Sequence, residues 1–115
     1  MKYFLVSCNR QLKPYPVCEF IYAEAAGSYT YVYLTGNRRL KHCKRLGLFI
    51  SQFNEEDFFR IHHGYFIHAE QMATHDRITF KTVTMLPKTT LPIAKRRVPA
   101  FRRFYKQYRS RKNAR

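Results

Sequence analysis

Short β-branched and aromatic runs, each closed by a turn signal before it reaches helical length, constrain this chain more than any other feature. The clearest is Phe58-Phe59-Arg60-Ile61-His62-His63-Gly64-Tyr65-Phe66-Ile67-His68. In an extended strand successive side chains point to opposite faces, so Ile61, Tyr65 and Ile67 are placed to bury while Arg60 and His62 stay reachable. That pattern predicts a rigid core that presents donors to an anion.

The same punctuation recurs along the chain. Residues 3–8 read as a first strand, and the polar stretch that follows ends in Pro14-Tyr15-Pro16. Prolines lack the N–H that a central ladder needs, so a linker-like turn is expected there. Residues 20–25 and 30–34 form a predicted hairpin around Ala26-Gly27-Ser28-Tyr29, with Gly27 free to take positive φ. Thr35-Gly36-Asn37 then turns the chain into residues 38–43, where Arg38, Arg39 and Lys41 discourage edge-to-edge pairing. Over residues 44–53 the spacing changes to i, i+3, i+4, i+7 through Leu46, Phe49, Ile50 and Phe53, which predicts an amphipathic helix. Gly47 weakens it by about 1 kcal/mol relative to Ala.

Asn54-Glu55-Glu56-Asp57 closes a turn before the strand-like residues 58–67, and further strands are expected over 72–75, 77–84 and 89–93. Pro99 suits the first turn of a helix carrying Phe101, Phe104, Tyr105 and Tyr108 on one stripe. The expected fold class is therefore mainly β, with short antiparallel strands and short helices. A length of 115 residues, 45% of them apolar, suits one modest core.

Charge narrows the partner. The chain carries 22 Lys and Arg against 7 Asp and Glu, a formal charge of +15, and the 39 residues after Asp76 hold 13 of those cations and no carboxylate. Nucleic acid is the leading expectation, ahead of an anionic membrane surface or an acidic protein. Residues 95–103, whose cations interleave with Val98 and Phe101, fit backbone phosphate contact better than residues 109–115, which also read as a solvated tail. Aromatics at 17% keep single-stranded or structured RNA open as an alternative, with Tyr29 and Tyr31 as candidate stacking surfaces.

Other chemistries find little support. Cys8, Cys18 and Cys43 are odd in number and widely spaced, which indicates neither a disulfide framework nor a zinc knuckle. His62 and His63 point to opposite faces of a strand and do not readily share a tetrahedral metal. The carboxylates outside the 55–57 cluster are isolated, so catalysis would need Glu24 and Asp76 to meet in space, and no enzyme or cofactor is expected. The first apolar run is too short for a signal sequence and no segment approaches the roughly 18 apolar residues of a membrane span. A cytoplasmic protein is expected.

Three segments in order carry a resemblance. Ile21-Tyr22-Ala23-Glu24-Ala25-Ala26-Gly27-Ser28-Tyr29, Arg60-Ile61-His62-His63-Gly64-Tyr65-Phe66-Ile67 and Leu91-Pro92-Ile93-Ala94-Lys95-Arg96-Arg97 resemble the LytTR DNA-binding output domain of bacterial response regulators. The resemblance implies an elongated, mostly antiparallel β-fold over residues 1–105, with 106–115 as a basic extension, whose loops enter the major grooves of double-stranded DNA. It places base contacts on Tyr29 or Thr30, on His63 and on Arg96, with Ser28, Lys44, Arg60, Lys95 and Arg97 as phosphate or positioning groups. Arg60 and His62 serve equally as internal braces of the second loop. Gly64 and Ala94 stand where the family usually has Ser, and His68 where it has Asn. Such a domain usually follows a receiver domain; Met1 followed directly by a strand favours a free-standing regulator with a separate signalling partner. A symmetric target would imply a homodimer on DNA.

Overall fold

Phe66 and Ile67 are neighbours on one strand and both are buried, at 3% and 0% exposure, yet they belong to different hydrophobic clusters. Side chains that alternate across a strand reach separate cores only if both faces of the sheet are covered. The computed structural model, which describes residues 2–76 and 79–113, shows how this is arranged. It extends over 43 × 32 × 24 Å.

Strands β1 (Tyr3–Cys8) and β2 (Gln11–Pro16) form a hairpin. Strands β3 (Phe20–Ala26), β4 (Tyr29–Leu34), β5 (Arg38–His42), β6 (Phe58–His62) and β7 (Tyr65–His68) form a central antiparallel sheet in the order β5-β4-β3-β7-β6. A third sheet pairs β8 (Met72–His75), β9 (Thr82–Met85) and β10 (Thr89–Pro92), in the order β10-β9-β8. Helix α1 (Leu46–Ile50) and helix α2 (Val98–Asn113) complete the fold. One face of the central sheet packs Phe20, Ala23, Val32, Leu34, Phe58 and Phe66 against Phe4 and Val6 of the hairpin and Leu46 and Phe49 of α1. On the other, Ile21, Tyr22, Ile61 and Ile67 meet Val83, Met85 and Leu91 of the third sheet and Phe101, Phe104 and Tyr108 of α2.

Several expectations are corrected. Residues 11–16 form β2 rather than a linker. Pro14 and Pro16 lie opposite Leu5 and Tyr3, and both backbone groups of Leu5 bond outward to the Gln52 amide at 2.7 and 3.0 Å. The Leu5–Pro14 pair is thus of the non-hydrogen-bonded kind, and the missing proline N–H faces the free edge. The run 58–67 is two strands, split at His63 and Gly64. Helix α1 is one short turn; Phe53 lies outside it but keeps its place on the stripe through an N–H bond to the Ile50 carbonyl at 3.0 Å. The strand expected over 77–84 begins only at Thr82; Arg77 lies outside the described residues, and Asp76 closes a turn onto Thr79 and Phe80. Finally, α2 runs unbroken across residues 105 and 106, with Tyr108 buried, Arg111 bonded to the Glu56 carbonyl and Lys112 paired with Glu70 at 2.5 Å. The basic end is a docked helix as far as residue 113, not a solvated tail.

Two buried imidazoles bond the backbone of other strands. His42 Nδ1 accepts from the Ser7 N–H at 2.9 Å, tying β5 to β1, and His68 Nδ1 donates to the Phe20 carbonyl at 2.9 Å. Burial lowers both pKa values from the ordinary 6.5, for His42 helped by Lys44. A lowered folded-state pKa means that the unfolded chain binds more protons below pH 6.5, so stability is full above that value and is lost as the pH falls through it. Urea denaturation is expected to show a falling unfolding free energy from pH 7 to pH 5. The double variant His42→Asn, His68→Asn should show a flatter dependence over the same interval.

Candidate nucleic-acid interface

Strand direction decides where the loops go. Strands β3, β5 and β6 run parallel to one another, because β4 and β7 separate them as antiparallel neighbours. The segments that leave β5, β3 and β6 therefore emerge at one end of the sheet. Lys44 follows β5, Gly27 and Ser28 follow β3, and His63 and Gly64 follow β6. Five strands at about 4.8 Å spacing make this rim roughly 20 Å long.

Backbone bonds fix the loops to each other. The Ala25 N–H donates to the Gly64 carbonyl at 2.9 Å, joining the first loop's strand to the second loop. Ala94 N–H donates to the Ile61 carbonyl at 2.8 Å, which brings the 3₁₀ turn Lys95–Arg97 beside the end of β6. The order along the rim is thus Lys44, Ser28 with Tyr29, His63, and Lys95 with Arg96. All six side chains are exposed.

The first loop is a two-residue turn with Gly27 at φ +65°. Tyr29 is 42% exposed and carries Lys41 Nζ 4.0 Å from its ring centroid. Thr30, expected as the alternative contact, is instead fully buried, and its hydroxyl donates to the Lys44 carbonyl at 2.8 Å. It ties the first loop to the segment after β5 and presents nothing to a ligand. Cations Arg39 and Lys41 on β5 were not singled out by motif, yet both sit over tyrosine rings near this loop. Their signal in the sequence is a cation alternating on a strand opposite an aromatic strand.

In the second loop the brace is internal. Arg60 donates to the His63 carbonyl from Nε at 3.2 Å and Nη2 at 2.5 Å, and His62 Nδ1 accepts from the Gly64 N–H at 3.0 Å. Both side chains are half-buried while His63 is exposed. Arg97 reaches the Arg60 carbonyl from Nη1 at 3.5 Å, and its buried Nε has no partner among the described residues. Burial, and then the Arg97 charge, pull the Arg60 guanidinium below its ordinary pKa. A β-carbon at Gly64 would meet only ordinary contacts, His62 Nδ1 at 3.6 Å and Ala25 Cβ at 4.0 Å, so the usual Ser fits without rearrangement.

Behind the loops the carboxylate of Glu24 accepts from the Tyr33 and Tyr65 hydroxyls, each at 3.2 Å. Burial, and then Glu24, hold the Tyr65 phenol above its ordinary pKa. Tyr22 is raised as well, by burial and then by Tyr33. Glu24 is thus the acceptor of a tyrosine network bridging β3, β4 and β7. Asp76 accepts from the Thr79 N–H at 3.1 Å.

The LytTr DNA-binding domain family model matches residues 10–106. The chain belongs to that family. A solved LytTr DNA-binding domain, from a methyl-accepting/DNA response regulator of Bacillus cereus, superposes with a TM-score of 0.75 at 19% identity, over 91% of this chain and 97% of that one. It shares the fold of short strands and short helices. No curated protein matches the chain.

The division of labour in the first loop is testable by stability. Thr30→Val removes the buried hydroxyl that bonds the Lys44 carbonyl and should cost about 1–2 kcal/mol in chemical denaturation. Tyr29→Ala, at an exposed site, should stay within about 0.5 kcal/mol of the parent.

Proposed function

We propose that this LytTR domain is a sequence-specific, double-stranded-DNA-binding transcriptional regulator without enzymatic activity, acting in the cytoplasm, whose rim loops enter the major groove. The observation that supports it most is the single rim on which the turn after β3, the turn after β6 and the 3₁₀ turn before α2 stand side by side, joined by the Ala25–Gly64 and Ala94–Ile61 bonds. A rim of roughly 20 Å exceeds the width of one major groove, about 12 Å, so its loops reach successive grooves and the phosphate backbone between them.

Roles follow from exposure. His63 and Arg96 are the base-reading groups, Arg96 suited to guanine O6 and N7 in a bidentate contact. Tyr29 is the contact of the first loop. Ser28, Lys44 and Lys95 take phosphates, while Arg60, His62 and Arg97 position the loops from behind. The domain takes in the whole of α2, whose basic residues beyond 105 add salt-sensitive affinity. A homodimer would occupy a symmetric site. Single-strand or RNA stacking is less favoured, because Tyr29 and Tyr31 already carry Lys41 and Arg39 over their rings.

Selection from randomised duplexes tests the assignment. Arg96→Ala should weaken specific binding by about 1–3 kcal/mol and relax preference at one base position, and His63→Ala should relax a different one. An unchanged motif in either variant would remove that residue from the base-reading set. Competition by structured RNA or single strands at equal salt would overturn the duplex reading.

A further inference from the structure

A groove of about 920 Å³ runs along β6, the edge strand of the central sheet, between the end of α1 and α2. Arg60, Arg96, Arg97 and Arg103 line it on one side, and Phe53 and Phe59 form apolar walls. Its size is in the range of small-molecule sites, roughly 300–1,000 Å³. We propose that this groove binds a small amphipathic anion, a carboxylate or phosphate carried on a flat apolar body, and that its occupation opposes DNA binding.

Charge and shape argue for such a ligand. Four guanidiniums converge where Glu55 is the one lining carboxylate, and none of the four has an ion-pair partner among the described residues. The Nε of Arg97 is buried and finds no acceptor among the described residues. Buried donors of this kind carry an energetic penalty that an anionic oxygen removes. A duplex would not use the rest of the groove. It is convex, and a phosphodiester has no apolar part to set against half-buried Phe53 and Phe59.

The opposition to DNA comes through Arg60 and rests on the DNA-binding reading above; the anion site does not. Arg60 holds the carbonyl of His63, at the tip of the second loop, while also lining the groove. An anion that draws Arg60 inward releases that carbonyl and loosens the loop. Arg96 is withdrawn from the rim by the same ligand.

The test is calorimetric titration of the full chain, without DNA, using 2-naphthoate and 2-naphthyl phosphate, with 2-naphthol and inorganic phosphate as controls. Saturable one-to-one binding of the naphthyl anions is expected, the tighter one identifying the headgroup. Arg103→Gln, at an exposed helix position, should weaken it about tenfold, as expected for one lost charge-assisted bond. Arg109→Gln, which removes the same charge from outside the groove, should not. Equal binding of 2-naphthol or of inorganic phosphate, or equal losses in the two variants, would overturn the site. In a second arm the tighter anion should displace a selected duplex from the parent at lower concentration than from Arg103→Gln. Failure to bind any duplex would sink the DNA reading and leave the calorimetric result standing, whereas a filled groove with unchanged duplex affinity would remove the opposition alone.

Discussion

Burial of the central sheet on both faces is the constraint from which the rest of the structure follows. A strand with one wet face alternates apolar and polar residues, but β7 carries Phe66, Ile67 and His68 in succession, all within 4% exposure. Each face therefore needs its own cover, and a chain this short supplies it with a hairpin and a helical turn on one side and three short strands and α2 on the other. Polar side chains also tie the elements together. His42 serves the backbone of β1, His68 the carbonyl of Phe20, and Gln52 both backbone groups of Leu5. With no face of the sheet free, contact with a partner is left to its ends and edges.

The rim is a consequence of that arrangement. Alternating strand directions send the segments after β3, β5 and β6 to the same end, and hydrogen bonds between loops hold them at fixed spacing. Charge is distributed accordingly. Glu19 is paired with Arg38, Glu70 with Lys112, and Glu24 accepts from tyrosine hydroxyls, so these carboxylates are engaged away from the exposed cations of the rim. Specific recognition needs side chains that do not drift by an ångström, and here the bracing groups are themselves half-buried.

Much of this was legible in the sequence because it depends on local spacing. Turn glycines and asparagines, period-two alternation and the stripe through Phe101, Phe104 and Tyr108 placed most strands and α2, and three motifs in register placed the loops. What escaped depends on partners distant in sequence. Pro14 and Pro16 argue against a strand until the register shows that their missing donors face a free edge. Thr30 looks like a loop residue until the carbonyl of Lys44 claims its hydroxyl. The split at His63 and Gly64 is marked in the sequence only by a lone glycine inside a run that otherwise favours strand. The Arg60–Arg97 proximity joins residues from separate motifs, and no periodicity announces it.

The departures from the family pattern separate into kinds once their environments are known. His68 makes a bond that an Asn amide could also make, since the Phe20 carbonyl accepts only and the imidazole, like an amide, donates to it. Gly64 sits where a β-carbon would meet nothing closer than 3.6 Å, so its smallness answers no local steric demand. Ala94 is different. Its backbone has the extended geometry of an N-cap, φ −61° and ψ 135°, but no side chain caps the turn that opens the third loop. Serine and threonine earn that position by accepting an N–H of the first turn, typically worth about 1 kcal/mol. Without it, the Lys95–Arg97 turn is held at its start by the Ile61 carbonyl and at its end by Arg97 against β6. The third loop of this chain therefore depends on β6 for its position more than a capped loop would, and β6 also carries Arg60, the brace of the second.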